Sequence, residues 1–505
     1  MASTATVMAM DMATAMATVM EMTSDKTYPS AGGHWTALAV SFLSLLISTG
    51  STEAGDWTLT DAITTSVTSV DRTGNSAQSG LVFQVTPAYT LTGRGGRVEG
   101  NVHLRPTFSV GTGDTDPRFM TNEGYARGRM EVVEDVFFLG ASASARLGGD
   151  TGIAGPVDAI NVNTDGYQSY SIGLAPEFRA HLNKYADLVS NNSVDYVWYN
   201  RNDQNAGSDS LSGTAHIGAR SGRIYGPLSW RADASVRKTT YDSRDDQSTN
   251  YSAGLGYRLD STWAFNGDIG YETNDVQTSR SSTDGVTWDV GTVWTPNPRN
   301  SASFSYGQRY YGDTISGDYT HTSRRTRLSL GVVREVTNRR YEQLVDSFFF
   351  LADDQGNPIV DPSNGQPIIV NVPQIQQGDE DYLNSELRGA VSITGRRTNV
   401  TLSGSLYQRT YEVSGNDEDG YDLSLNFTRR LGSNFSASVG GSWSQEKASF
   451  LGDSDYYDVR FALSRSLSKR TSASLNISHH ERDANAANDS YTENRIGISL
   501  TSSFL

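Results

Sequence analysis

The stretch YDVRFALSRSLSKRTSASLNISHH, from Tyr457 to His480, contains two alternating segments joined by a short basic turn. One face of the first segment carries Tyr457, Val459, Phe461, Leu463 and Leu467, and the other carries Asp458, Arg460, Ala462, Ser464 and Ser466. A period of two predicts β-strands with one apolar and one polar face. Small polar residues on the second face would leave a packed core unfilled. The pattern therefore favours strands whose apolar face meets lipid and whose polar face meets water.

The same alternation recurs along most of the chain, for example from Leu81 to Leu91 and from Tyr421 to Phe427. After Gly55 no segment of about 18 apolar residues occurs, which excludes helical spans. In a bilayer, strands must close on themselves because an unpaired backbone group costs several kcal/mol. Counting short turns against long polar loops gives about 22 strands, within roughly 18 to 24, and an even number is typical of membrane barrels. The predicted fold is all-β: a closed antiparallel transmembrane β-barrel with short periplasmic turns and long external loops.

Composition supports a wet interior. The 505 residues are only 36% hydrophobic, with a mean hydropathy of -0.46, 49 Gly and 25 Tyr. A soluble chain of this length would need two or more domains, and no linker divides it. The absence of cysteine excludes disulfides and thiolate metal sites. The net charge of -16 argues against nucleic acid, which requires a basic surface.

Charge is unevenly distributed along the sequence. Acids gather in the long polar segments, as in 242–246 and 417–419, whereas short turns contain Arg396, Arg397, Lys469 and Arg470. The two ends of the barrel are therefore expected to differ in sign. The acidic segments are either solvated or hold divalent cations near an anionic cell surface.

Residues 1–54 are predicted to be a signal peptide with a disordered leader, and residues 55–505 a single outer-membrane β-barrel domain. The apolar run from Ala37 to Ser48 has the length of a signal-peptide core, and Thr52 and Ala54 suit a cleavage site. The leader is long, with Lys26 as its single basic residue before the core, and Met22 is an alternative start. An uncleaved membrane anchor is the alternative.

The sequence offers no recognisable site of catalysis or metal binding. His479 and His480 are adjacent in a strand, so they point to opposite faces and cannot ligate one metal within that strand. The sequence contains no HExxH, P-loop or GxSxG motif, and its Gly clusters are typical of turns. We expect no enzymatic activity, no cofactor and no metal.

Strand parity predicts which charged residues line the lumen, and both signs occur, often two residues apart. The predicted lumen-lining residues are Glu99, Arg105, Glu177, Arg179, Arg231, Asp233, Arg237, Asp268, Glu272, Asp289, Glu386, Arg388, Asp422 and Arg460. They form either a lattice of ion pairs that stiffens the wall or the selectivity groups of a pore for hydrophilic solutes.

Three segments, VFQVTPAYTLTGRGGRVEGNVHLRPTFSVG (82–111), VVEDVFFLGASAS (132–144) and YSIGLAPEFRAHL (170–182), resemble the outer-membrane proteins associated with PEP-CTERM/exosortase systems, a family similar to putative β-barrel porins. The resemblance extends from about Trp57 to the end of the chain. It implies a Gram-negative outer-membrane barrel encoded near exopolysaccharide production and surface-protein sorting, and no catalytic residue. The final strand, YTENRIGISLTSSFL, resembles an assembly signal for outer-membrane barrels, although Leu505 follows its terminal aromatic. The expected partners are outer-membrane lipid, the barrel assembly machinery and exopolysaccharide.

Two functions remain open from the sequence. The first is a channel for hydrophilic solutes or an accessory to polysaccharide export. The second is a structural or binding barrel with a closed lumen, whose acidic external loops contact surface polymer or a partner protein. The longest loop, from Leu351 to Asp381, is expected either to project outside or to fold inward as a constriction.

Overall fold

The computed structural model describes residues 56–149, 157–162, 166–200, 208–242, 244–338, 340, 360–361, 366–367, 380–448, 452–485 and 490–504. The predicted leader and cleavage site lie outside these residues, so they stay a prediction. Within the described residues no helix is both long and apolar enough to cross a membrane.

The wall of the molecule is one antiparallel sheet of 22 strands. Its strands are β1 (Asp56–Gly74), β2 (Gln78–Arg94), β3 (Val98–Gly111), β4 (Met120–Val133), β5 (Phe137–Gly149), β6 (Gly166–Leu182), β7 (Ala186–Asn200), β8 (Ser210–Ser221), β9 (Leu228–Tyr241), β10 (Asp245–Arg258), β11 (Trp263–Asp275), β12 (Gly285–Asn297), β13 (Asn300–Arg309), β14 (Gly312–Thr322), β15 (Thr326–Thr337), β18 (Tyr382–Thr394), β19 (Thr398–Tyr411), β20 (Asp417–Arg430), β21 (Phe435–Ala448), β22 (Gly452–Ser466), β23 (Thr471–Ala484) and β24 (Tyr491–Ser502). The two-residue strands β16 (Val360–Asp361) and β17 (Gln366–Pro367) pair with each other outside the wall, and Arg223–Tyr225 forms a 3₁₀ turn.

The sheet closes where its first and last strands meet. β1 pairs with β2 on one side and with β24 on the other, with Val67 opposite Ile498. Each wall strand therefore has two neighbours, which satisfies the backbone without a free edge. This confirms the predicted closed barrel and its strand number.

Side chains alternate across the wall as the sequence predicts. On β22, Val459 is 54% exposed to the outside, whereas Asp458 on the inner face is 3% exposed. The outward residues of the last strand, Ile496, Ile498 and Leu500, are also exposed. The apolar exterior is therefore the surface that lipid tails cover, and the lumen has a polar wall.

Aromatic residues mark the two edges of the apolar exterior. On β11, Trp263 and Tyr271 both face outward and lie eight residues apart. At about 3.4 Å per residue and a tilt of about 40°, their heights differ by roughly 20 Å, close to the ~25 Å apolar band of outer-membrane barrels. Trp263 contacts Phe265 and Trp294, with ring centroids 6.1 Å apart in each case.

Both ends of the described wall, Asp56 and Ser502, lie at the same end of the barrel as the shorter turns. These turns range from the two residues 298–299 to the six residues 222–227. This end is therefore periplasmic. The opposite, outer end has the long connections, including 338–381 between β15 and β18, although the β13–β14 connection there is only two residues long.

Candidate functional site: the lumen wall and its outer mouth

Strand register places all fourteen predicted lumen-lining residues on the inner face. Asp268 and Asp289, for example, are cross-strand partners on β11 and β12, while their neighbours Ile269 and Trp288 face outward. The inward set is Glu99, Arg105, Glu177, Arg179, Arg231, Asp233, Arg237, Asp268, Glu272, Asp289, Glu386, Arg388, Asp422 and Arg460. Their predicted role in selectivity stays a prediction.

Several of these residues form partly exposed ion pairs along the middle of the wall. Arg105 Nη1 lies 3.1 Å from Glu123 Oε2, and Arg129 Nη2 lies 2.9 Å from Glu177 Oε2. Glu177 also pairs with Arg179, its neighbour on the same strand face. Both carboxylates and guanidinium groups remain accessible to water, so this part of the wall combines a lattice with a polar lining.

A concavity of about 820 Å³, which we call the wall niche, opens on the inner face between β8 and β14. Its charged lining includes His216, Arg231, Asp233, Asp268 and Asp289. Arg231 forms a bidentate pair with Asp268, and His216 Nε2 lies 3.0 Å from Asp233 Oδ1. The niche thus presents both signs of charge in fixed positions.

Two features of the niche indicate a binding surface. A Cβ on Gly254 would lie 1.9 Å from Asp268 Oδ1, so this glycine lets the Arg231–Asp268 pair lie flat across β10. Asp289 stands directly opposite Asp268 and forms no hydrogen bond with a described side chain. Like charges directly opposite are destabilising. The nearby charges of Arg231 and Arg309 offset part of this repulsion. Without a hydrogen-bonded partner, the Asp289 carboxylate contributes little to stability and is available to a solute.

The outer end of the lumen contains a second group of charges, the outer network, which the sequence reasoning missed. Arg409 Nη1 lies 2.9 Å from Glu418 Oε1, and these side chains are 2% and 0% exposed. Arg72 and Glu493 form a similarly buried pair across β1 and β24. Both pairs follow the inner-face parity of their strands. Extending the parity count beyond the apolar band would have found them.

One loop segment, 157–162 between β5 and β6, folds into the lumen and is anchored at β24. Asp158 pairs with Arg495, and Ile160 packs against Val70 and Val82 on the inner wall. β24 lies five strand spacings from β5, about 24 Å along the wall at ~4.8 Å per strand. We call this anchored segment the latch. The Asp158 side chain is half exposed, and the partial desolvation that it undergoes beside the wall opposes its ionisation, but the nearby Arg495 guanidinium outweighs this and lowers the pKa of the carboxyl.

On the other side of the mouth, loops from distant strands bind one another. Arg280, between β11 and β12, donates two hydrogen bonds of 2.7 Å to the carboxylate of Glu412, between β19 and β20. Thr278 donates a further bond of 2.7 Å to Glu412. The pairing raises the pKa of Arg280. These contacts connect loops that are five strand spacings apart and therefore bridge part of the mouth.

A further bridge lies beside the β15–β18 connection. Asn338 Nδ2 donates to Tyr241 Oη at 3.1 Å and to Asp381 Oδ1 at 2.7 Å. Arg340 reaches Ser210, where its Nε donates to Oγ at 2.8 Å. β8 is seven strands from β15 in the wall, so this contact also bridges the mouth. The bridging groups Arg280, Glu412, Asn338, Arg340 and Asp381 are called the mouth cluster.

The acidic runs are partly structural. Asp246 and Glu418 are strand residues on the inner face, where they pair with Arg244 at 3.0 Å and with Arg409. The interpretation of these two residues as solvated or cation-holding loop acids was wrong, because the strands extend beyond the apolar band. Across the described part of the chain, no three His, Cys, Asp or Glu residues are placed to share a metal ion.

Comparisons with known proteins identify no family for this chain. No family model and no curated protein matches the sequence. Similar solved structures include the siderophore receptor PirA from Acinetobacter baumannii (10% identity, 88% of this chain and 80% of that chain, TM-score 0.48) and the FrpB iron transporter from Neisseria meningitidis (10%, 89%, 83%, 0.46). A mutant of the ferric enterobactin receptor PfeA from Pseudomonas aeruginosa is comparable (10%, 88%, 80%, 0.47). At these identities and TM-scores, nothing about this chain follows from the likeness.

The wall itself determines the location. A closed antiparallel sheet with an apolar, aromatic-edged exterior and a polar interior is the construction that crosses the outer membrane of Gram-negative bacteria. The predicted constriction at 351–381 lies mostly outside the described residues. The chain is an outer-membrane β-barrel whose lumen has a charged wall niche and a mouth bridged by loops.

Proposed function

We propose that this barrel is a channel for hydrophilic solutes whose outer mouth is gated by the latch and the mouth cluster. The observation that supports this most directly is the wall niche, where polar groups of both signs face a lumen wide enough to hold water. A barrel with a purely structural interior has no need of an accessible carboxylate such as Asp289.

The anchored loops supply the gating element of the proposal. Asp158–Arg495 and Arg280–Glu412 are ion pairs between segments far apart in the wall, and each can separate without disturbing a strand. Pairs of this kind respond to salt, which screens their Coulomb attraction, and to acid, which protonates the carboxylate. Opening either bridge would widen the path to the outside.

The chemistry of the niche favours polyhydroxylated solutes. Arg231–Asp268 presents guanidinium donors beside carboxylate acceptors, which matches neighbouring hydroxyl groups that both donate and accept. A role as an accessory to exopolysaccharide export or surface-protein sorting rests on the sequence resemblance and is part of the proposal.

The second candidate is a structural or binding barrel with a closed lumen, whose external loops contact surface polymer or a partner protein. The bridging contacts of the mouth cluster favour it, because the bidentate Arg280–Glu412 pair and the Asn338 bonds to Tyr241 and Asp381 would hold the mouth shut.

Conductance of the purified chain in planar bilayers separates the two candidates. We expect small ohmic steps from the unmodified protein and larger steps after Asp158→Asn with Arg280→Gln, with neutral polymers of graded size reporting the wider opening. Arg97→Gln, in a periplasmic turn, is the matched control and should behave as the unmodified protein. If none of the three proteins conducts, the channel is refuted and the closed barrel stands.

A further inference from the structure

Half of the periplasmic rim is purely basic although the chain has a net charge of -16. The turns and strand ends from β12 to β23 contain Arg–Arg pairs at 324–325, 396–397 and 429–430, and then Lys469 and Arg470. The five turns joining these strands contain no acidic residue. The other half of the rim is mixed, with Glu134, Asp135 and Asp260 in its turns.

Two arginines of this basic rim point toward the membrane. Arg429 on β20 and Arg465 on β22 occupy the same face as the outward Leu425 and Phe461 of their strands. Each is followed two residues later by an exposed leucine nearer the periplasm: Leu431 is 50% exposed and Leu467 is 57% exposed. Apolar side chains on both sides place these guanidinium groups at the depth of lipid headgroups, where long basic side chains reach phosphates.

The two strands are separated only by β21, where Ala437 lies opposite Arg429. On the other side of β21, Arg465 lies opposite Phe435, so the two arginines are offset by two residues along the strands. Two strand spacings and this offset put the arginine backbones about 12 Å apart, with Phe435 and Ala437 on the outward face between them. Neither guanidinium forms an ion pair with a described residue, whereas on the mixed half of the rim Arg94 pairs with Glu99 and Arg97 with Glu134.

We propose that Arg429 and Arg465 form a binding site for the phosphate of an anionic phospholipid in the periplasmic leaflet, with the neighbouring basic turns adding long-range attraction. Guanidinium groups bind phosphate oxygens in a bidentate manner, which suits a lipid phosphate between two arginines. The outward direction and the flanking leucines favour a lipid over an acidic protein, because a protein in the periplasm reaches the turns but not the membrane-facing side of these strands.

The test measures lipids retained by the purified full chain. The protein is exposed to micelles containing equal amounts of phosphatidylglycerol and phosphatidylcholine, and bound lipids are counted by native mass spectrometry. We expect severalfold enrichment of phosphatidylglycerol, lost in Arg429→Gln/Arg465→Gln and kept in the matched control Arg94→Gln/Arg97→Gln. Heat-dependent electrophoretic mobility confirms folding, and Arg429→Lys/Arg465→Lys, which keeps charge without the planar fork, should retain part of the enrichment.

Three results would overturn the site. The unmodified protein could retain the two lipids in the supplied ratio, or the glutamine variant could enrich phosphatidylglycerol as well as the unmodified protein does. A preference for soluble polyglutamate over any lipid, abolished by the same substitutions, would instead assign the basic rim to an acidic protein partner.

Discussion

The middle of the lumen wall and its outer end use the same residue types in different surroundings. Glu177 and Arg179 in the middle are 21% and 42% exposed, whereas Arg409 and Glu418 in the outer network are almost fully buried. A charge in contact with water interacts weakly with its partner and is free to meet a solute. A buried charge depends on its partner for stability. The buried outer network therefore fits a lattice that stiffens the wall, whereas a role in selectivity is proposed for the hydrated charges in the middle.

The largest predicted effect follows from this difference. Arg409→Met leaves the Glu418 carboxylate buried without its partner, and we expect the free energy of unfolding to fall by about 3–5 kcal/mol. Arg179→Met should cost less than ~1 kcal/mol because Glu177 is hydrated and keeps Arg129. Urea unfolding followed by tryptophan fluorescence measures both. Equal losses in the two variants would mean that the two regions do not differ as their burial indicates.

A substitution in the latch should lower stability by an intermediate amount. Asp158→Asn removes the pair with Arg495, and because the Asp158 side chain is half exposed the loss should be about 1 kcal/mol, confined to the loop. The pKa of Asp158 is lowered in the folded chain, so its stabilisation is present above the unfolded pKa and is lost as pH falls through the folded one. If the proposed channel is correct, the conductance of the unmodified protein should stay constant near neutral pH and rise only below about pH 4. A rise centred near pH 6 would assign gating to another group.

Asp381 in the mouth cluster should change the free energy of unfolding with pH in the direction opposite to Asp158. Burial raises the pKa of this carboxyl, and the hydrogen bond from Asn338 and the charge of Arg244 only partly oppose it. A raised pKa means that its stabilisation is complete below the unfolded pKa and declines as pH rises through the folded value. Asp381→Asn should therefore leave the free energy of unfolding at pH 7 unchanged or increase it, in contrast to Asp158→Asn. Destabilisation of both variants at pH 7 would contradict the assigned direction.

The smallest effect on stability is expected in the wall niche. Asp289→Asn removes a carboxylate without a hydrogen-bonded partner, so unfolding should change by less than about 0.5 kcal/mol. Reversal potentials in a potassium chloride gradient should nevertheless show weaker preference for cations, since this carboxylate faces the lumen. Asp422→Asn should lower the free energy of unfolding more than Asp289→Asn does, because Asp422 accepts hydrogen bonds of 2.6 and 2.7 Å from Ser405. Unchanged selectivity in Asp289→Asn would remove the niche from the conduction path.

Alternation along the strands was sufficient to predict the wall. The period of two in Tyr457–Ser466 determines which residues meet lipid, because a slip by one residue would reverse every side chain. The same parity placed residues as distant as Glu99 and Arg460 on the inner face. Strand number followed from turn chemistry, since short Gly- and Arg-containing turns alternate with longer loops.

The mouth could not be predicted in the same way. Asp158 pairs with Arg495, 337 residues away, and Arg280 with Glu412, 132 residues away. No local period relates such residues, because loop position depends on where the closed wall brings distant strand ends together. Strand parity could have predicted the buried pair Arg409–Glu418. Glu418 was instead predicted to lie in a loop, since the strand was expected to end with the apolar band, whereas β20 continues past it.

The central claim is a single closed wall with lipid outside and water inside, and it can be tested on one strand. The chain contains no cysteine, so single cysteines can be introduced one at a time on β9 from Ser229 to Val236, where neither face is buried, and spin-labelled in reconstituted membranes. Labels at 230, 232, 234 and 236 should collide with oxygen dissolved in lipid, and labels at 229, 231, 233 and 235 with a water-soluble nickel chelate. Alternating accessibility of this kind is what the account predicts. Labels on both faces that are shielded from both reagents would indicate a dry, packed interior and contradict it.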